Sequence, residues 1–68
     1  NVNIDMEIIK NMEALDKARN IVHSCETYKQ LDVAQKFCEL YYEVFNDRVN
    51  YERLLRDITI RRTELTME

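Results

Sequence analysis

The chain contains neither glycine nor proline, and no other property constrains its fold as strongly. Tight hairpin turns need glycine at positive φ or proline at fixed φ, which disfavours any β architecture built on short turns. The same two residues are the strongest helix breakers, so their absence points to an all-α fold. With 46% hydrophobic and 34% charged residues, the chain has enough apolar material to leave the disordered state. Its 68 residues make one small domain, 1–68, of the size at which disulfides, a metal or a partner subunit often supplement the core.

The segment Thr27–Phe45 organises the rest. On a helical wheel at about 100° per residue, Asp32, Gln35, Lys36, Glu39 and Glu43 share an arc of roughly 100°. Val33, Ala34, Phe37, Cys38, Leu40, Tyr41, Val44 and Phe45, with Leu31 and Tyr42 at the margin, spread over about 200°. A surface helix hides a stripe half that wide, so this helix needs cover from two sides.

Before it, residues 4–23 form a first helix. Ile8, Leu15 and Val22 recur every seven residues, and so do Ile4, Asn11, Ala18 and Cys25; the offset of the two series is the a/d alternation of a coiled-coil seam. Asn11 is placed at the edge of that seam, wetted by solvent, although a polar residue at its centre would fix register. The intervening HSCET carries a capping box, Thr27 with Gln30. The connection is short enough to make the first two helices an antiparallel hairpin.

After Phe45, Asn46 and Asp47 both tolerate left-handed backbone and cap helices well. The stripe Tyr51, Leu54, Leu55, Ile58 and Leu65 is rotated by about 100° from that of the second helix. A break at Asn46–Asp47 and a third helix over 48–65 follow, packed across the first two, with the terminal RRTELTME expected to fray. Arg48–Glu52, Glu52–Arg56, Arg53–Asp57 and Asp57–Arg61 have i,i+4 spacing for ion pairs. Val49 and Ile60 form a thin second apolar line.

Little in this inventory suits catalysis. His23, Cys25 and Cys38 lack the number and spacing of a structural metal site, and the acidic residues fall on solvated faces. No glycine-rich phosphate cradle exists. No enzyme, cofactor or metal is expected. The cysteines are too distant along the helices for a bridge, which suits a reduced, cytoplasmic setting, in a cell or an infected host. No apolar run reaches the length of a membrane span. A net charge of −3 works against nucleic acid and anionic membranes alike. Arg48, Arg53, Arg56, Arg61 and Arg62 remain the alternative, a small dimeric nucleic-acid binder, but they spread around the wheel rather than along one face.

The apolar surplus points instead to association. The residues singled out for an interface are Val33, Phe37, Leu40, Tyr41, Val44 and Phe45, and the expected partners are a second copy of the chain, as a homodimer, and a protein target. Cys25, Thr27, Gln30 and Leu31 form a helix–C-x-T-x-x-Q-L–helix element that resembles small helical-hairpin proteins encoded by bacteriophages. The resemblance covers about half the chain and implies a small regulatory or host-interaction protein without catalysis.

Overall fold

Three helices carry the chain in a computed structural model that describes residues 2–67, with side chains described from Asp5 to Met67. They are α1 (Val2–Ser24), α2 (Tyr28–Phe45) and α3 (Arg48–Met67), with no strand among the described residues. The fold is all-α, and each helix packs on the other two.

The helix ends follow from local chemistry. Thr27 precedes α2 with extended backbone, and its hydroxyl accepts from the Gln30 amide at 3.1 Å. The Gln30 side chain returns to the amide of Glu26 at 2.6 Å, one residue before the cap itself. α2 ends at Asn46, whose left-handed backbone (φ 55°, ψ 30°) lets its amide reach the Tyr42 carbonyl. Asp47 then caps α3: its carboxylate accepts from the Asn50 amide at 3.2 Å and from Asn50 Nδ2 at 2.8 Å. The break at Asn46–Asp47 is therefore a left-handed C-cap joined directly to an N-cap.

The C-terminal end departs from expectation. α3 is helical to Met67, through all of the RRTELTME segment but Glu68, which lies outside the described residues. Tertiary contacts hold it: Arg61 Nε donates to the Cys25 carbonyl at 2.8 Å, Tyr28 hydrogen-bonds Thr66, and Leu65 packs on the core. Thr59, Thr63 and Thr66 turn their hydroxyls onto carbonyls four residues back, the usual accommodation of threonine inside a helix.

The core is built from Ala18 and Val22 of α1 with Cys25 just beyond its end, from Leu31, Ala34, Cys38 and Tyr41 of α2, and from Leu54 and Ile58 of α3. Every buried side-chain polar atom among the described residues has a partner. The seam of α1 is covered only from Asn11 onward. Asn11 lies level with Asp47, Arg19 with Asp57 and Cys25 with Arg61, so about nine residues of α1 project past the α2–α3 junction, roughly 14 Å of helix. Residues 5–10 are all exposed there, and Ile8, placed on the seam by its heptad spacing, has no cover. The side chain of Ile4 lies outside the described residues. At the opposite end α3 outruns α1, and the body is a staggered rod of 48 × 17 × 15 Å.

Candidate interaction surfaces

The wide apolar arc of α2 resolves into two parallel stripes. Leu31, Ala34, Cys38 and Tyr41 face inward. Val33, Phe37, Leu40 and Val44, at i, i+4, i+7 and i+11, face outward, with Val33 64%, Leu40 57% and Val44 71% exposed. Phe37 is half-buried, and the Lys17 ammonium lies 6.0 Å from its ring centroid. α1 thus flanks this seam without closing it.

Two residues singled out for the interface lie elsewhere. Tyr41 is only 3% exposed. Its hydroxyl donates to Asn11 Oδ1, and Asn11 Nδ2 donates to Asp47 Oδ2 at 3.1 Å. Burial raises the Tyr41 phenol above its usual value, with the Asp47 charge as a secondary cause. The amide of Asn50, then the side chains of Asn50, Asn11 and Tyr41, hold the Asp47 carboxyl below the usual range against an opposing effect of burial. Asn11 is therefore not a solvated seam-edge residue; it joins α1 to the end of α2 and the start of α3. Phe45 is half-buried with its ring 5.3 Å from that of Tyr41. A helical wheel does not separate Tyr41 from Leu40, since either stripe of α2 is apolar enough to be the inner one.

The five arginines of α3 are not brought together. Arg48 pairs with Glu52 at 3.3 Å. Arg61, half-buried, is occupied by the Cys25 carbonyl and Glu64, and Arg62 faces Asp32 of α2 at 3.7 Å. Of the expected intrahelical pairs, only Arg48–Glu52 forms among the described residues. Asp57 turns instead toward α1, where Arg19 (3.6 Å) and His23 (3.9 Å) meet it. That leaves Arg53 and Arg56 exposed and without an acidic partner among the described residues, along a groove between α1 and α3. Arg19 completes this basic lining. It was not identified in the sequence, although the run Val49, Arg53, Arg56, Ile60, spaced 4, 3 and 4, marked the face.

Cys25 and Cys38 are free and buried. Burial pushes the Cys38 thiol up to about 11, helped by the charges of Asp57 and Glu39, and raises that of Cys25 as well. A thiol raised in this way is a poor nucleophile at neutral pH. Among the described residues no group of three or more His, Cys, Asp or Glu is placed to hold a metal ion, and no helix is long and apolar enough to cross a membrane. The chain matches no family model, no curated protein and no solved structure.

Proposed function

We propose that this chain is a non-enzymatic protein–protein interaction module that self-associates through the outer seam of α2. The observation that carries this reading is the run Val33, Phe37, Leu40, Val44 at coiled-coil spacing, with half-buried Phe37 set among three exposed aliphatic residues. In this reading α1 and α2 act as an antiparallel hairpin with α3 packed across them, and the regulatory or host-interaction role rests on the resemblance to phage helical-hairpin proteins.

The seam is self-complementary about a two-fold axis. In an antiparallel pairing centred between Cys38 and Glu39, Val33 meets Val44 of a second copy, and Phe37 meets its Leu40. Lys36 and Glu43, beside the seam on the polar side of α2, then come opposite each other twice. One surface serves both copies, as a closed two-fold dimer requires. A single seam of four residues is smaller than a standard interface, so dissociation in the micromolar range is expected.

Sedimentation equilibrium at about 100 µM is the test. A dimer mass is expected for the native chain and a helical monomer for Leu40→Glu with Val44→Glu, since both sites are exposed. Lys36→Glu should weaken the dimer, and adding Glu43→Lys should restore it. A monomer mass for the native chain at that concentration would sink the proposal.

A further inference from the structure

A second surface lies on the other side of α1 from the α2 seam. In the groove between α1 and α3, Arg53 and Arg56 project from α3 one turn apart, and Arg19 faces them from α1. Asp57, already 3.6 Å from Arg19, is the only acidic side chain lining the groove among the described residues. A chain of net charge −3 therefore gathers three guanidinium groups against one carboxylate along this one groove. Its remaining lining is partly apolar: Leu15 is half-buried and Ile60 exposed. Met12 and Val49, both exposed, extend the same faces by a turn toward the α2–α3 junction.

We propose that this groove docks an acidic amphipathic helix from a partner protein. Guanidinium groups pair with carboxylates in two-pronged geometry, and a helix lays its apolar face into a groove through residues at i, i+3, i+4 and i+7. Leucine-like residues on one face would cover Leu15 and Ile60 while flanking glutamates meet Arg53, Arg56 and Arg19. The lining from Asn50 to Ile60 covers about 15 Å, three turns of a bound helix. Nucleic acid suits the groove less well, because the apolar lining has no phosphate to meet and the remaining surface repels polyanions. The proposal does not depend on self-association, since the groove shares no residue with the α2 seam.

The test is fluorescence anisotropy with a labelled peptide of about 14 residues, leucine at helical three- and four-residue spacing and glutamate on the flanks. The controls are the same peptide with lysine for every glutamate, and a short DNA duplex. The acidic peptide should bind at about 50 mM salt and weaken as salt rises. The lysine peptide should not bind. Arg53→Glu with Arg56→Glu, both at exposed positions, should weaken binding about tenfold or more with unchanged helicity by circular dichroism. Leu40→Glu with Val44→Glu should leave it intact. Absence of acidic-peptide binding at about 1 mM, or equal binding by the double arginine variant, would overturn the proposal. So would tighter binding of the DNA duplex, or a loss of self-association in the arginine variant, which would make the occupant a second copy.

Discussion

Tyr41 donates its phenolic hydrogen to Asn11 Oδ1, joining the last turns of α2 to the middle of α1. Asn11 passes the connection on to Asp47, the residue that starts α3. One amide side chain therefore holds all three helices where the chain reverses between α2 and α3.

Tyr41→Phe should lower stability by about 1 kcal/mol, because it removes one partly buried hydrogen bond while the ring stays packed. Asn11→Ala should cost more, since it also removes a donor to Asp47. In a domain of this size each kcal/mol shifts the thermal midpoint by about 4–8 °C. A double-mutant cycle of the two, followed by thermal denaturation at fixed protein concentration, should give a coupling of at least about 0.5 kcal/mol. Additive effects would mean that the contact contributes no coupling.

Acid should unfold the protein partly through Asp47. Its carboxyl is held below the ordinary value of 3.8, so its contribution is complete above that value and is lost as pH falls through the lower, folded-state value. Asp47→Asn keeps a capping side chain but removes the titration. The variant's urea midpoint should vary less steeply with pH than that of the native chain below about pH 4. Parallel slopes would exclude Asp47 from the acid transition.

Asn46 holds the one positive φ among the described non-glycine residues. Asn46→Ala should destabilise by about 1 kcal/mol, the penalty of a Cβ in left-handed backbone without the asparagine side chain's compensation. Asn46→Gly should stay within a few tenths of a kcal/mol of the native chain. Chemical denaturation of the pair separates this conformational effect from any loss of side-chain contact.

Neither thiol should react readily in the folded protein. Cys38 is fully buried with its thiol pushed up to about 11, so the thiolate is scarce at pH 8 and shielded from reagent. Iodoacetamide labelling read by mass spectrometry should be slow in buffer and complete in urea. Rapid native labelling of Cys38 would show that the core around Leu31 and Leu54 opens readily.

Much of the helical layout was legible because it is local. A capping residue at Thr27, a left-handed asparagine at Asn46 and a change of apolar phase after Phe45 are properties of a few neighbours in the chain. What escaped depends on partners distant in sequence. Asp57 has arginines four residues away on either side, yet it turns to Arg19, because α1 brings a cation to its inner flank. Arg53 is released by that choice, as Arg56 is by the pairing of Glu52 with Arg48, and no wheel of α3 alone could show the first. Tyr41 and Leu40 are adjacent and both apolar, so only the positions of α1 and α3 decide which turns inward. Ile8 fits the heptad of α1 perfectly well; it is bare because the neighbouring helices begin and end at the level of Asn11.

The stagger of the rod has a consequence for assembly. In the two-fold arrangement proposed for α2, each protruding start of α1 would run alongside the opening turn of the other copy's α2 and the tail of its α3. Met6, Ile8 and Ile9, bare in a single copy, would become the arms of a mutual clasp. Backbone amides near residues 6–10 should then exchange with solvent more slowly as protein concentration rises through the dimerisation range, and those of the buried centre, which exchange through global unfolding, should slow as well because association stabilises the folded chain. The uneven helix lengths would thus turn the ends of the rod into the part of the molecule that senses whether a second copy is present.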